Sequence, residues 1–417
     1  MRTIKRHLQP HILDVLKSFP AVYINGPRQT GKTTLVRDLL AKNYKAKFLT
    51  FDDTLERTAA QRNPLRYMRD SGTPLIIDEV QLVTDIFRPL KLLIDEQRGK
   101  ARTTKAMANG HYLLTGSANL QVIPELASAM AGRMATLTLL PVSAAEAMGK
   151  TSHFLERCFA KDFTDIKRNN TKLATMMRRA SYPELKHMPQ NMVDSWFKNY
   201  IQKITLEDPR QIYNLEKAEL MPLLLQALAV RAGNLVNDAN IGRELGLNAV
   251  TTRTYRTILN GTFVTNTLRP WHRKIAKRLV KSHKIFFHDT MLLCYLLGST
   301  PEELAKNNPT RFGHVLENFV LSELCKYNFT TGEKLAISFY RTNDGREIDF
   351  ILEKQNKLVA IEVKHAENVT DKDLAGIKEL QAHTGKDFHC GIVLCNAPRV
   401  ISFDDNIYLV PFHALWQ

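Results

Sequence analysis

Residues 20–34 read PAVYINGPRQTGKTT, and this stretch decides the fold of the first part of the chain. The short apolar run VYI at residues 22–24 predicts a β-strand. The octet that begins at Gly26 has the spacing G-x-x-x-x-G-K-[ST]. The residues TLVRDLLAKN that follow have helical periodicity. Strand, glycine-rich loop and helix in this order predict a P-loop in a parallel α/β sheet.

The loop residues predict a site for a nucleotide. Glycines allow the backbone to approach phosphate groups without a Cβ clash, and backbone N–H groups at a helix start bind anions. Lys32 is placed to reach the β- and γ-phosphates, and the Thr33 hydroxyl is placed to bind Mg²⁺. The predicted ATP contacts are Gly26, Pro27, Arg28, Gln29, Thr30, Gly31, Lys32, Thr33 and Thr34. The alternative is a glycine turn with a purely structural role.

A second apolar strand ends in two carboxylates. Residues 74–80 read PLIIDEV, which is typical of a strand buried on both faces. Asp78 is placed to hold Mg²⁺ through water, and Glu79 to polarise the attacking water. Two consecutive acids favour hydrolysis over nucleotide binding alone. A solvent-facing strand end is the alternative.

A third strand, HYLLTGSAN at residues 111–119, ends in short polar side chains that include Asn119. Ligands of doubly wound sheets bind at this edge, so Asn119 is a further predicted nucleotide contact. Arg133 follows Gly132 and precedes the strand MATLTLL. Its guanidinium is placed to meet a γ-phosphate in its own or a neighbouring subunit. The alternative for Arg133 is a surface ion pair.

The chain has 417 residues, a net charge of +16 and a concentrated basic region. Residues 231–284 contain eleven Lys and Arg residues but only two acidic ones. Residues 239–245 and 249–259 predict two helices joined by a turn at Gly246, followed by a wing-like hairpin. The predicted nucleic-acid contacts are Arg253, Arg256, Arg273 and Lys274. A solvated basic face, or a protein contact, are the alternatives.

The last part of the chain carries acids and a lysine on predicted strands. Strands are expected at residues 337–341, 347–353 and 358–364, after an apolar helix that bears Glu317. Asp349 and Glu362 are placed to hold one Mg²⁺ from adjacent strands, and Glu317 to complete its ligands. Lys364 shares a face with Glu362 and is placed to orient the attacking water. Ion pairing of these acids with nearby Lys and Arg residues is the alternative.

Residues 1–150 resemble AAA-type P-loop ATPases of a prokaryotic branch, through the runs GPRQTGKT, IIDEVQ, LLTGSAN and AGRMATLTLLPVS. The resemblance implies Lys32 and Thr33 at phosphate and metal, Asp78 and Glu79 as the Walker B pair, and Asn119 or a neighbour as a sensor. It also implies a ring or other oligomer. Residues 310–417 resemble the PD-(D/E)xK restriction-endonuclease-like fold, although Glu347-Ile348-Asp349 lacks the Pro-Asp of the motif name. The resemblance to this ATPase branch, whose members carry a C-terminal domain once catalogued as of unknown function, extends to this end.

We therefore expect an α/β protein with four parts. These are a AAA-type ATPase domain (1–150), a helical linker or lid (151–235), a winged-helix-like basic domain (236–300) and a nuclease-like domain (301–417). The expected cofactors are ATP and Mg²⁺, and the expected partners are nucleic acid, with DNA favoured, and further copies of the chain. We expect a cytoplasmic location, no membrane contact and reduced thiols at the five cysteines.

Three functions fit these expectations. The first is an ATPase that controls a metal-dependent nuclease-like domain. The second is a nucleotide-switched DNA-binding regulator with a catalytically silent nuclease fold. The third is a protein-remodelling ATPase whose basic region contacts acidic protein. Cleavage of nucleic acid indicates the first function. Nucleic-acid binding without cleavage indicates the second, and the absence of salt-dependent nucleic-acid binding indicates the third.

Overall fold

The computed structural model contains three β-sheets with helices around them. It describes residues 4–40, 43–103, 109–117, 119, 130–167, 169–207, 215, 217–274, 278, 282–332, 335–342, 344–367 and 369–417. The sheets have five, six and two strands, so the expected α/β class is confirmed. Among these residues, no helix combines the length and the apolar character needed to cross a bilayer.

The first sheet is built from parallel strands. They are β1 (Ala21–Asn25), β2 (Lys47–Thr50), β3 (Leu75–Asp78), β4 (Tyr112–Thr115) and β5 (Met134–Thr138). Their spatial order is β2-β3-β4-β1-β5, and every neighbouring pair is parallel. Strands β1, β3 and β4 lie at the centre and are fully buried, which explains their apolar runs. The loops that follow these three strands therefore meet at one edge of the sheet.

Helices cover both faces of this sheet. They are α1 (Leu8–Ser18), α2 (Lys32–Thr34), α3 (Thr54–Arg62), α4 (Pro64–Ser71) and α5 (Phe87–Thr103). A π-helical segment, Leu35–Leu40, continues α2. Alternate strand residues enter different apolar clusters, Tyr23 on one face and Val22 on the other. The two clusters hold the sheet between helical layers.

The middle region is helical and contains a small antiparallel sheet. Its elements are α6 (Ala144–Ala147), α7 (Phe154–Ala160), α8 (Leu173–Arg179), α9 (Gln190–Gln202), α10 (Met221–Val230), α11 (Asp238–Leu245), α12 (Ala249–Gly261), β6 (Thr265–Leu268), β7 (Lys284–Phe287), α13 (Thr290–Leu296) and α14 (Pro301–Asn307). Gly246 ends α11 at a φ of +67°, and the Asn248 side chain caps α12. The two helices expected around Gly246 are thus present. The winged-helix assignment itself stays a prediction.

The C-terminal region is a long helix followed by a mixed sheet. Its elements are α15 (Pro309–Thr331), β8 (Ala336–Arg341), β9 (Glu347–Lys354), β10 (Lys357–Val363), α16 (Asp371–Thr384), β11 (Phe388–Cys395), β12 (Ile401–Asp404) and β13 (Ile407–Pro411). The order is β12-β13-β11-β10-β9-β8. Strand β10 is antiparallel to β9 and parallel to β11. The helix and the three strands expected before α16 are confirmed.

Short turns of other helical types connect these elements. The 3₁₀ turns are Val80–Leu82, Thr84–Ile86, Pro183–His187, Ala218–Leu220, Gly385–Asp387 and Phe412–Trp416, and a π-helical segment covers Lys203–Glu207. Gly345, at a φ of +85°, lies in the turn between β8 and β9. Asn343 of the predicted turn lies outside the described residues.

The middle and C-terminal regions share one apolar core. Phe286 of β7 and Phe350 of β9 belong to it, and their ring centroids are 6.0 Å apart. Beyond β6 the backbone runs beside β8, where the Phe339 N–H donates to the Arg269 carbonyl oxygen at 3.1 Å. The β6–β7 hairpin is therefore held against the edge of the C-terminal sheet.

Candidate functional site

The loop after β1 has a conformation that only glycine can adopt at its first position. Gly26 has a φ of +143°, and a Cβ there would lie 2.1 Å from the Leu139 carbonyl oxygen. Gly31 has a φ of +87° and precedes α2. The glycines at these two positions, spaced as the motif requires, therefore shape the loop at the helix start.

Lys32 lies inside this loop. Its Nζ donates to the carbonyl oxygens of Gly26 at 3.0 Å and of Pro27 at 2.7 Å. The Thr30 hydroxyl also donates to Pro27, at 3.0 Å. The ammonium of Lys32 is therefore held at the concave side of the loop, where an anion that binds the backbone N–H groups would meet it.

Thr33 and Asp78 lie together, as the sequence predicted. The Thr33 hydroxyl is 2.9 Å from Oδ2 and 3.1 Å from Oδ1 of Asp78. The Thr115 hydroxyl of β4 also donates to this carboxylate. Burial raises the pKa of Asp78, and the neighbouring Glu79 raises it further. A hydroxyl and a carboxylate that converge in this way form a donor set that suits Mg²⁺.

Gln81 is a site residue that the sequence argument missed. Its side-chain N–H₂ donates to the Glu79 carboxylate and to the Ser117 hydroxyl, the latter at 3.1 Å. The Ser117 N–H donates back to the Gln81 side-chain oxygen at 3.3 Å. Gln81 thus fixes Glu79 against the end of β4. Its presence in the quoted run IIDEVQ was the available signal.

Two further residues predicted in the ATPase domain contact residues outside the P-loop and β3. The backbone N–H of Asn119 donates to the Gly261 carbonyl oxygen at 3.0 Å, so Asn119 lies at the junction with the middle region. Arg133 forms a two-point ion pair with Asp95, with N···O distances of 2.8 and 2.9 Å. Within one chain, the alternative of an ion pair at Arg133 is therefore realised. The nucleotide roles of Asn119 and Arg133 stay predictions.

A buried polar network joins the P-loop to α15. The Arg6 guanidinium donates to the Thr30 carbonyl oxygen at 2.7 Å and lies 3.2 Å from the Glu146 carboxylate. Arg6 lowers the pKa of Glu146 although burial opposes this. Near Glu146, the Ala144 N–H donates to Glu323 of α15 at 2.7 Å. Sequence reasoning did not find this connection, because its members are far apart in the chain.

The acids of the C-terminal region converge on neighbouring strands. The Val363 N–H of β10 donates to Oδ2 of Asp349 on β9 at 2.8 Å. Asp349 and Glu362 are each 8% exposed. Burial and the Glu362 charge raise the pKa of Asp349 well above its usual range, and burial raises the pKa of Glu362 to about 7. The predicted pair of carboxylates is therefore brought together.

Lys364 lies beside this pair. Its Nζ is 3.0 Å from Oε1 of Glu362 and 3.7 Å from Asp373 of α16. Although burial disfavours the charged amine, Glu362 raises the pKa of Lys364. The lysine is therefore charged at neutral pH and is held at the edge of the carboxylate pair, where the sequence placed it.

Glu317 of α15 and Lys284 of β7 face the same acids. The Lys284 ammonium contacts the Glu347 carboxylate and lies 3.9 Å from Oε2 of Glu317. That Oε2 is buried and accepts no hydrogen bond from any described residue. The charge of Glu317 contributes to the raised pKa of Asp349. Sequence reasoning counted Lys284 only as part of the basic region.

The donor set of this second site suits Mg²⁺, since it consists of carboxylate oxygens and includes the orphaned Glu317 Oε2. In the described part of the chain, however, no three His, Cys, Asp or Glu side chains are already grouped to hold a metal ion. The full set of Glu317, Asp349 and Glu362 is therefore not preassembled around one point. Metal binding by these three residues stays a prediction.

The predicted nucleic-acid contacts differ in exposure. The Arg256 side chain is 11% exposed and pairs with Asp238 through N···O distances of 2.8 and 2.9 Å. Two nitrogens of the guanidinium thus hold α12 to α11, and the contact of Arg256 with nucleic acid stays a prediction. The Arg253 side chain is 72% exposed, and Arg273 and Lys274 are exposed as well. Lys277 and Lys281 of the basic region lie outside the described residues.

Three family models match separate parts of the chain. A AAA domain model, AAA_14, matches residues 18–148. Two domains of unknown function, DUF8612 and DUF4143, match residues 170–303 and 312–415. The first match agrees with the P-loop geometry and the parallel sheet. The N-terminal domain is therefore a AAA-type P-loop ATPase domain, a class that binds and hydrolyses nucleotides.

Relatives over most of the chain have no described function. The uncharacterized proteins Rv2008c of Mycobacterium tuberculosis and Mb2031c of Mycobacterium bovis are each 26% identical over 361 residues, which is 86% of this chain and 74% of each relative. Among solved structures, ORC2 of Aeropyrum pernix (ADPNP-ADP complexes) is 13% identical, with 72% of this chain and 93% of that chain covered and a TM-score of 0.30. Protein VC1899 of Vibrio cholerae is 11% identical, with 95% of each chain covered and a TM-score of 0.20. Both structural likenesses are too distant to support an argument on function.

Proposed function

We propose that this protein is an ATPase whose nucleotide site controls a metal-dependent, nuclease-like site that acts on nucleic acid, with DNA as the favoured substrate. The observation that carries the proposal is the group formed by Asp349, Glu362 and Lys364 in the same chain as a complete P-loop. Two buried carboxylates on adjacent strands with a lysine 3.0 Å from one of them suit phosphodiester hydrolysis.

ATP hydrolysis would use residues at the carboxyl edge of the first sheet. The loop N–H groups and Lys32 would bind the phosphates, and Thr33 and Asp78 would hold Mg²⁺, which neutralises phosphate charge when bound. Glu79 would orient a water molecule towards the γ-phosphorus. A bond from the water oxygen to that phosphorus forms while the bond to the β–γ bridging oxygen breaks, giving ADP and phosphate. Gln81 would keep the Glu79 carboxylate in place.

Phosphodiester hydrolysis would use the C-terminal strands. Asp349 and Glu362 would hold Mg²⁺, with Glu317 as a further ligand, and the metal supplies charge neutralisation at the phosphate. Lys364 would orient the attacking water. A bond from its oxygen to phosphorus forms while one ester P–O bond breaks and its oxygen leaves with a proton. The exposed Arg253, Arg273 and Lys274 would contact the phosphate backbone, which predicts binding that weakens steeply with salt.

The buried network from Arg6 to Glu323 supports control of one site by the other. Arg6 bonds the P-loop carbonyl of Thr30, and Glu323 lies on the helix that also carries Glu317. A movement of the loop on nucleotide binding would therefore change the contacts of α15. We include a homo-oligomer in the proposal, with Arg133 leaving Asp95 to reach the nucleotide of a neighbouring subunit.

The proposal is tested by incubating the purified protein with single- and double-stranded DNA and RNA in Mg²⁺ or Mn²⁺, while ATP hydrolysis is measured in parallel. Cleavage is expected in the wild-type protein and is expected to be lost in Asp349→Asn with ATP hydrolysis intact. Asp344→Asn, which changes an exposed acid in the nearby turn, is the matched control and should cleave normally. Cleavage that survives Asp349→Asn would contradict the assigned site.

A second candidate is a nucleotide-switched nucleic-acid-binding protein with a silent nuclease fold. The specific observation in its favour is that two lysines already lie beside acids of the C-terminal site, Lys284 beside Glu317 and Lys364 beside Glu362. It predicts ATP-dependent binding of nucleic acid with no cleavage in either metal. The third candidate, a protein-remodelling ATPase, predicts no salt-dependent affinity for any nucleic acid.

A further inference from the structure

Lys284 is contributed to the C-terminal acids by a different part of the chain. It begins β7, where its backbone pairs with Leu268 of β6 and forms a bridge with Leu235. Its backbone is therefore held on one side by β6 and on the other by Leu235, both in the middle region. The side chain is only 5% exposed, so its ammonium is taken out of water to reach the acids.

The Lys284 ammonium is surrounded by groups of the C-terminal region. Glu347 contacts it directly, Glu317 lies 3.9 Å away, and the Phe339 ring centroid is 5.5 Å away. The charge of Lys284 also opposes the other causes that raise the pKa of Asp349. One lysine from the middle region therefore contacts Glu347 and lies close to Glu317, one of the three predicted metal ligands.

Gly233 of the middle region packs against His314 and Glu317 of α15. A Cβ at Gly233 would lie 2.9 Å from Nδ1 of His314 and 3.4 Å from Oε2 of Glu317. This is the same Oε2 that accepts no hydrogen bond from a described residue. Lys284 is thus close enough to stabilise the charge of Glu317 but leaves an oxygen that a metal ion could bind.

We propose that the Lys284 ammonium competes with divalent metal for Glu317 at the nuclease-like site, so that the middle region, through β7, lowers the metal affinity there. This inference rests on the proposed metal-dependent function of that site. A cation of the protein and a metal ion repel each other over the same few ångströms in which both are attracted to the carboxylates.

Another ion pair at this junction provides a control for a purely structural role of Lys284. Arg278 also joins the middle region to β9, through an ion pair with Glu353 at 2.7 Å. That pair lies away from the acids, so Arg278→Gln is a matched control for the loss of one cationic contact between the same two regions. A merely structural Lys284 would affect stability as Arg278 does and would leave metal affinity unchanged.

The test is Mn²⁺ binding to the full chain without nucleotide, followed by electron paramagnetic resonance of the free ion. All proteins carry Asp78→Asn, which weakens the other candidate metal site. Lys284→Met is expected to bind Mn²⁺ about tenfold more tightly than its parent, whereas Lys284→Arg and Arg278→Gln are expected to match the parent. Lys284→Gln replaces Lys284→Met if thermal unfolding indicates that the methionine variant is not folded.

Addition of Asp349→Asn to each protein separates the possible results. Tighter binding in Lys284→Met that disappears with Asp349→Asn supports the inference. Binding that depends on Asp349 but is equal in Lys284→Met, Lys284→Gln and the parent overturns the inference and leaves the proposed function standing. Absence of any Mn²⁺ binding that depends on Asp349 overturns both.

Discussion

The P-loop and the C-terminal acid group both hold a buried lysine, but they assemble it differently. Lys32 is held by carbonyl oxygens of its own loop, six and five residues away in the chain. Lys284 and Lys364 are held by carboxylates, which come from a separate strand or helix in the case of Lys284. The first site is a local structure that the backbone builds. The second is complete with Lys284 only when the middle and C-terminal regions are packed together.

The acid group therefore depends on the rest of the fold more than the P-loop does. The P-loop needs glycines at two positions and a helix after them, and these are fixed within eight residues. The acid group, together with Glu317 and Lys284, needs β9, β10, α15 and β7 packed against one another. Substitutions in the loop should therefore act on nucleotide chemistry, and substitutions at the junction should act on stability or metal binding.

The largest expected effect is that of Gly26→Ala. The added Cβ would lie 2.1 Å from the Leu139 backbone in a conformation that alanine avoids, so we expect nucleotide binding to be lost. Gly345→Ala, also at positive φ but with no atom within 4 Å of its Cβ, is the control and should bind ATP normally. Fluorescent-nucleotide titration measures both. Retained binding in Gly26→Ala would contradict the described loop.

Lys32→Ala should lower the rate of ATP hydrolysis about a hundredfold, the usual effect of removing one preorganised charge donor. Metal binding at the acid group should be unaffected, because Lys32 makes its bonds within the loop. Lys47→Ala, an exposed lysine on β2, serves as the control. A steady-state phosphate-release assay checks this, and a Lys32→Ala protein with the wild-type rate would break the comparison.

The two arginines of α12 should behave differently. Arg256→Ala breaks a buried pair with Asp238 and should lower the free energy of unfolding by about 3 kcal/mol. Arg253→Ala removes an exposed contact and should change it by about 0.5 kcal/mol or less, while weakening nucleic-acid binding. Urea unfolding and a salt titration of binding measure the two effects. Equal destabilisation by both substitutions would be incompatible with the described packing.

The last expected effect is a pH dependence of stability at Glu362. Because its pKa is raised from 4.5 to about 7 in the folded protein, its stabilising contribution is complete below the unfolded pKa and is lost as pH rises through 7. Relative to Glu362→Gln, the free energy of unfolding of the wild type should fall by on the order of 2 kcal/mol between about pH 5 and about pH 8. Urea unfolding at both pH values tests this. A wild-type-to-variant difference that is the same at both would show that Glu362 titrates normally.

Local patterns allowed much of the fold to be predicted. The strand–loop–helix around Gly26, the acids after β3, and the helices around Gly246 all follow from residues that are neighbours in the chain. Gln81, Arg6 and Lys284 could not be assigned from sequence, because their partners lie on other elements. The ion pair of Arg256 could not be assigned for the same reason, since its partner Asp238 lies on the preceding helix.

The central claim is that the nucleotide site controls the nuclease-like site, and it is tested most directly by measuring DNA cleavage with and without ATP in wild-type and Lys32→Ala proteins. We predict that ATP changes the cleavage rate of the wild type and leaves that of Lys32→Ala unchanged, with Asp349→Asn inactive in both conditions. Cleavage that depends on Asp349 but proceeds at one rate with or without ATP would contradict the claim.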